Sequence, residues 1–152
     1  MPLSYAQQRM YFLHRLEPES VAYNQAIATK MRGPLDLVRF ERALNGVIAR
    51  HESLRTTFRE IDGVAEQVVH DAMPIALERS GEAYVERPFD LEKEPPIRCH
   101  VRRLRDEEHD VHVVMHHIVT DLVSFGAFWR DLAALYAGDV LPGLPIQYAD
   151  YA

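Results

Sequence analysis

The chain has 152 residues, of which 47% are hydrophobic and 26% are charged, and its formal net charge is -6. These values are typical of one globular domain with a buried core. The negative charge argues against a nucleic-acid partner, no apolar run reaches the length of a membrane span, and the N-terminus lacks a secretion signal. We therefore expect no membrane partner and a cytoplasmic location.

The first part of the chain predicts two helices separated by a strand. Ser4, with Gln7 three residues later, forms a capping-box pattern that begins a helix ending near Pro18. Residues 23–31 mix apolar and polar side chains in a strand-like way. Asp36 then caps a second helix, whose apolar residues recur at steps of three and four: Leu37, Phe40, Leu44, Val47 and Ile48.

A β-hairpin is predicted after the second helix. Residues 56–60 and 65–70 have the composition of strands, and Asp62-Gly63 between them is a typical hairpin turn. Residues 73–78 are compatible with a short edge strand.

A second hairpin is predicted further along the chain. Residues 80–87 are polar and compatible with one helical turn. Residues 97–104 alternate in polarity and residues 111–117 are largely apolar, as in a buried strand. The charged turn at 105–110 indicates that these two strands pair in antiparallel fashion.

A long amphipathic helix over residues 122–136 follows, with Asp121 placed to cap it and Gly138 to end it. Pro142 and Pro145 make an extended connector after this helix. Together the elements predict an α+β fold. In this fold, helices pack on a mixed, mostly antiparallel sheet whose central strand carries two histidines.

These two histidines, His116 and His117, end the last predicted strand, and Asp121 follows four residues after the second. Because neighbouring strand residues point to opposite faces, a packed His116 places His117 on the other side. A lone strand histidine is usually structural, so the rest of the chain must decide whether the pair is functional.

Four short stretches stand out in order along the chain. They are LSYAQQRMYFL at 3–13, RHESLRTTF at 50–58, MHHIVTD at 115–121 and IQYADYA at 146–152. They resemble motifs of the condensation domain of nonribosomal peptide synthetases. The third stretch matches the family's catalytic motif of two histidines, three spacers, aspartate and glycine, up to its last position. A histidine pair alone is a weak signal, whereas four ordered motifs over the whole chain are a strong one.

The resemblance implies a chloramphenicol-acetyltransferase-like fold. Complete condensation domains contain two such lobes and are much longer than this chain. We therefore expect residues 1–152 to form a single N-terminal lobe, truncated at its C-terminal end, with the second lobe absent.

The resemblance also implies the chemistry. The family forms an amide bond between an acyl or peptidyl thioester on a donor carrier and the amine of an aminoacyl acceptor. His117 is the expected catalytic residue, as a general base or as a hydrogen-bonding group that stabilises the intermediate. His116 is expected to pack inward and hold the strand end. Asp121 is a candidate second acid, but the resemblance implies a structural ion pair with Arg55 that supports the site.

Two features depart from the family pattern. Leu122 occupies the position where the catalytic motif usually has glycine. A leucine there either packs on the helix or narrows the site, and its fit to the apolar pattern favours packing. Residues 73–88 also form a shorter segment than is usual in the family, where a further helix is expected.

Other candidate sites are weaker. No metal site is predicted despite eight histidines, because the chain has neither a His-Glu-x-x-His motif nor a cysteine pair; His112 and His116 merely share a strand face. The single Cys99 is most simply a small core residue. Ser124 lacks the Gly-x-Ser-x-Gly context of a nucleophile, and residues 50–52 are expected to fix a helix-to-strand turn.

Two functional classes remain open. In the first, the chain is part of an amide-forming enzyme. Its expected partners are donor and acceptor peptidyl carrier domains, the C-terminal lobe and adjacent synthetase domains. No cofactor is expected on the chain itself, since phosphopantetheine arrives on the carriers. In the second class, the chain is a non-catalytic or degenerate recruitment module of the same fold, and Leu122 is a sign of decay.

Overall fold

The computed structural model describes residues 1–79 and 86–151. Its helices are α1 (Tyr5–Leu16), α2 (Leu37–Arg50) and α3 (Leu122–Ala137). Its strands are β1 (Asn24–Arg32), β2 (Thr56–Ile61), β3 (Val64–Val69), β4 (Ile97–Arg105) and β5 (Glu108–His116). Short 3-10 turns lie at Glu52–Arg55 and Tyr148–Tyr151. No helix within the described ranges combines the length and apolarity needed to cross a membrane.

The helices begin and end where the sequence predicts. The Ser4 side chain accepts a hydrogen bond from the Gln7 N–H, and the Gln7 side chain accepts one from the Ser4 N–H. Asp36 caps α2 by accepting from the Arg39 N–H. These contacts satisfy N–H groups that have no partner within the helix. α3 ends at Gly138, whose φ of 94° lies in the left-handed region that favours glycine.

Both predicted hairpins form. β2 and β3 pair in antiparallel fashion, and the turn residues Asp62 and Gly63 have φ values of 51° and 80°. Positive φ at both positions matches the twist of the flanking strands. β4 and β5 form the second hairpin, but the observed turn between them is shorter than the six residues that the sequence predicts. Strand pairing continues to Arg105 and resumes at Glu108.

The three-stranded sheet has the order β1-β5-β4, so the histidine-bearing strand is central, as predicted. Its strand pairs are antiparallel. The segment 73–78 is not a strand: only Glu78 pairs with the sheet, through an isolated parallel bridge to His100. Asn45 and Glu41 instead bind the backbone at Ile75 and Leu77, which holds this segment against α2. The helical turn expected within residues 80–87 falls mainly on 80–85, which lie outside the described residues.

The core is divided into two clusters by β5. Val111, Val113 and Met115 pack with α2 and α3 on one face, while Val114 packs with Leu3 and Tyr11 on the face that carries α1. This division follows from the alternation of side chains along a strand. It also determines the environment of His116, which shares the face of Val114.

Candidate active site

His117 is the first residue after β5, in the turn that leads to α3. Its N–H donates to the Tyr23 carbonyl at 2.8 Å, which joins the turn to the segment before β1. Its imidazole Nδ1 lies 2.6 Å from the Thr120 carbonyl oxygen. Because a carbonyl only accepts, Nδ1 must carry the proton. In the neutral ring, Nε2 is then the atom with a free lone pair.

The exposed His117 side chain lines a cavity of about 330 Å³. The other lining residues come from α1, from the turn and α3, and from the C-terminal segment: Ala6, Arg9, Met10, Ile118, Val119, Thr120, Asp121, Ser124 and Tyr148. Tyr148 is fixed to α1, since its hydroxyl lies 3.0 Å from the Ser4 Oγ. Arg9 forms no ion pair with any residue of the described ranges. The imidazole therefore faces a cavity bordered by both polar and apolar side chains.

His116 lies on the opposite side and is 2% exposed. Its Nδ1 accepts a hydrogen bond from the Ile118 N–H at 3.1 Å. The rings of His14, Tyr23 and Phe89 surround it, with centroids 5.8, 6.4 and 6.1 Å away. Burial, with smaller contributions from His14 and His117, lowers the pKa of His116 to about 4. His116 is thus a neutral packing residue, in the orientation that strand alternation predicts.

Asp121 is the N-cap of α3, as predicted. Its Oδ1 accepts from the Ser124 N–H at 2.8 Å and from the Ser124 hydroxyl at 2.6 Å. The Ser124 Oγ in turn accepts from the Asp121 N–H at 3.4 Å. The hydrogen bonds from Ser124 hold the pKa of Asp121 below its ordinary value. Ser124 is therefore committed to a helix cap and is not set up as a nucleophile.

The ion pair between Asp121 and Arg55 that the resemblance implies is not formed. Asp121 is exposed and is used by the helix cap. Arg55 is directed away: its Nε donates to the Ala49 carbonyl at 3.3 Å, its Nη1 donates to the His70 carbonyl, and its Nη2 lies 3.4 Å from the Glu52 carboxylate. The guanidinium thus donates to the Ala49 carbonyl, which has no partner within α2, and to the His70 carbonyl just after β3. Arg55 fixes the junction of these elements.

A buried ionic cluster that the sequence did not predict joins α2 to α3. Asp131, 2% exposed, accepts from Arg50 Nε at 3.0 Å, and its Oδ2 lies 2.8 Å from His51 Nε2. Burial opposes its charge, but hydrogen bonds from His51, Arg50 and Arg130 outweigh burial and hold the pKa of Asp131 below its ordinary value. The signal was present in the sequence, since Asp131 interrupts the apolar stripe of α3.

The C-terminal segment is attached to the same cluster. Gln147 donates to the Arg50 carbonyl at 3.0 Å and accepts from the Glu52 N–H at 3.2 Å. Arg50 also donates to the Pro142 carbonyl. Residues 50–52 therefore do more than fix a turn, because they hold the segment that carries Tyr148 against the His117 cavity.

The other candidate sites raised by the sequence concern Cys99, metal binding and Leu122. Cys99 is 1% exposed, and burial, with a smaller effect of Glu78, raises the pKa of its thiol to about 12. No group of three or more metal-ligating side chains occurs within residues 1–79 and 86–151. The side chain of Leu122, expected either to pack or to narrow the site, lies outside the described part of the chain.

Substitutions of Asp121 distinguish helix capping from ion pairing. Asparagine caps helices about as well as aspartate, so Asp121→Asn should leave the free energy of unfolding nearly unchanged, whereas Asp121→Ala should lower it by about 1 kcal/mol. Urea unfolding of the two variants measures this difference. Equal destabilisation by both substitutions would contradict the capping role.

The low pKa of His116 predicts a specific pH dependence of stability. The unfolded histidine titrates near 6.5 and the folded one near 4, so protons bind the unfolded chain first as the pH falls. Stability should be unaffected by this group above pH 6.5 and should decrease from pH 6.5 to 4, by up to about 3 kcal/mol. Unfolding free energies measured across this range for wild type and His116→Gln should converge at low pH. Parallel pH profiles would refute the assignment.

Comparisons with known proteins agree on one family. The condensation domain family model matches residues 1–152. One of the linear gramicidin synthase proteins of Brevibacillus parabrevis is 41% identical over 175 aligned residues, covering 100% of this chain and 2% of that protein. Surfactin synthase subunit 1 of Bacillus subtilis (strain 168) is 41% identical over 160 aligned residues, which cover 99% of this chain and 4% of that protein. The chain thus spans a small part of these peptide synthetases. The first alignment exceeds the 152 residues of this chain, so that relative carries additional residues within the matched region.

Solved structures agree with the family match. The X-domain in a complex with OxyB from teicoplanin biosynthesis superposes with a TM-score of 0.89 at 37% identity, covering 99% of this chain and 36% of that chain. The first condensation domain of the CDA synthetase, at 22% identity, shows the same fold with a TM-score of 0.86. The match covers 99% of this chain and 44% of that chain. The expected α+β, chloramphenicol-acetyltransferase-like fold is confirmed. The chain belongs to the condensation-domain family.

Proposed function

We propose that this chain supplies His117 to the active site of a condensation domain in nonribosomal peptide synthesis. The observation that carries the proposal is the His117 ring: its Nδ1 is fixed on the Thr120 carbonyl and the side chain lines a cavity. An imidazole held in one tautomer, with an unprotonated Nε2, is suited to accepting a proton or a hydrogen bond. A cytoplasmic location, expected from the sequence, belongs to the same proposal.

The reaction joins two carrier-bound substrates. The amine nitrogen of the acceptor attacks the thioester carbonyl of the donor, so a C–N bond forms and the C–S bond breaks. The amine loses a proton, and the donor carrier's thiol is released. Phosphopantetheine belongs to the carriers and presents the two reacting groups. Holding them together at one site accounts for part of the rate enhancement.

Two roles for His117 are compatible with its geometry. As a general base, Nε2 takes the proton from the attacking amine. As a stabilising group, the ring forms a hydrogen bond or an electrostatic contact with the charged tetrahedral intermediate. His116 and the Asp121 cap contribute by holding the two ends of the turn. Arg55 contributes at a distance, by holding the junction of α2 and β3.

In this proposal the chain is the N-terminal lobe of a larger domain. It covers 36% to 44% of the solved chains described above. The donor and acceptor carriers would approach the His117 cavity from a cleft completed by a second lobe.

The two-lobe arrangement has a direct consequence. We expect the 152-residue chain alone to form no amide product from loaded donor and acceptor carriers, because one wall of the cleft is missing. Mass spectrometry of the acceptor carrier measures the product. Turnover by this chain alone would overturn the two-lobe proposal. The catalytic role of His117 is tested separately, by the His117 variants described below.

A recruitment module is the second candidate. The X-domain that resembles this chain at 37% identity forms a complex with OxyB, and Leu122 replaces the usual motif glycine. Under this candidate, the fold presents a surface to a partner enzyme and His117 has no chemical role.

Two His117 variants separate the candidates. His117→Ala removes the imidazole, and His117→Asn keeps a side-chain N–H able to donate to Thr120 but lacks Nε2. In the complete condensation domain with loaded carriers, both should lower the rate of amide formation by at least about 100-fold. Urea unfolding serves as the structural control, and His117→Asn should unfold like wild type. Product formation at the wild-type rate by His117→Asn would end the catalytic assignment of His117, whereas the absence of product from the wild-type domain with loaded carriers would favour recruitment.

A further inference from the structure

A second cavity, of about 210 Å³, lies next to the His117 cavity. We call it the apolar recess, and it is bounded by the end of β5, by α3, by the turn at Ser53–Leu54 and by the C-terminal segment. The residues that decide its character are Leu54, Met115, Ala127, Phe128, Leu144 and Ile146. The two cavities share Val119, Thr120, Ser124 and Tyr148 as lining residues, so they adjoin along one wall.

The floor of the recess is preformed. Leu54, Met115 and Phe128 are 5%, 1% and 3% exposed and belong to the main core cluster. The rim is more open, because Ile146 is 49% exposed. A cavity with a fixed apolar floor and an accessible rim can accept a side chain without rearranging the core.

Most polar side chains that line the recess are already bound. His51 Nε2 lies 2.8 Å from Asp131, Gln147 binds the backbone of Arg50 and Glu52, and the Tyr148 hydroxyl lies 3.0 Å from Ser4. They are poorly placed to pair with a charged ligand group, which would lose its hydration on entry. The chemistry of the recess therefore selects for an apolar occupant.

We propose that the apolar recess binds the apolar side chain of an aminoacyl group whose backbone lies in the His117 cavity. This inference rests on the proposed function and specifies its substrate class as residues of leucine to phenylalanine size. An apolar cavity of about 150 Å³ accommodates benzene, so the recess has room for such a side chain. Aspartyl and glutamyl substrates are excluded by the cost of burying an unpaired carboxylate.

Ala127 provides a way to fill the recess selectively. It is half-buried on α3 and lines the recess but not the His117 cavity. Ala127→Leu adds three carbons inside the recess. Ala133→Leu makes the same change at an exposed position of the same helix and is the matched control. Neither residue belongs to the capping or ionic contacts described above.

The test measures binding with unreactive probes. The N-acetylated leucyl, alanyl and aspartyl amides of cysteamine are titrated into the 152-residue chain, with NMR chemical shifts as the signal. We expect the leucyl probe to bind about 10-fold more tightly than the alanyl probe, since pocket methylenes give discrimination of this order. We expect the aspartyl probe to bind more weakly than both. Ala127→Leu should reduce the leucyl preference to less than about twofold, and Ala133→Leu should retain it.

Each result is decisive. Equal affinities for the leucyl and alanyl probes, no measurable leucyl binding, or an unchanged preference in Ala127→Leu would overturn the assignment of the recess. Failure of the catalytic proposal would appear as normal turnover by His117 variants, so the two failures are distinguishable.

Discussion

The hydrogen bond from His117 Nδ1 to the Thr120 carbonyl is the contact on which the candidate site depends. It is local, spanning three residues, and it fixes both the ring orientation and the tautomer. It forms because the chain leaves the central strand and turns at once into α3. A short turn held at both ends provides rigidity that a mobile loop lacks. The strand and the helix are therefore parts of the site as well as of the fold.

The adjacent histidines show how position alone assigns different properties to identical side chains. His116 continues the alternation of β5 and enters an aromatic environment where protonation is disfavoured. His117 follows immediately and meets the cavity. A shift of β5 by one residue would exchange their environments, since side-chain direction has a period of two. The pairing of β5 with both neighbours opposes such a shift.

Much of the architecture could be predicted from the sequence because its determinants are local. The caps at Ser4, Asp36 and Asp121 act within three residues, and the turn at Asp62-Gly63 depends on backbone preferences. The central position of β5 and the burial of His116 followed from apolar alternation. The chemical role of His117 stays a prediction, because placement in a cavity does not measure reactivity.

Other features required contacts between distant segments. Arg55 lies far from Asp121 in sequence, so spacing could not reveal that each binds its own neighbours. Asp131 binds Arg50 and His51, which are about eighty residues away. A charged residue on an apolar helix face was a sign of a buried partner, but its identity depends on how α2 and α3 pack. The bridge at Glu78 likewise replaced an expected strand, because Asn45 and Glu41 satisfy the neighbouring backbone.

The environment of Cys99 has a consequence for thioester chemistry. It is the single cysteine of the chain and packs inside the sheet, where its sulfur stays protonated at neutral pH. A reactive thiolate near a tethered acyl group would capture it by transthioesterification and trap the protein as an acyl adduct. Burial removes that competing nucleophile, so under the proposed function an acyl group presented at His117 would meet no rival thiol from this chain.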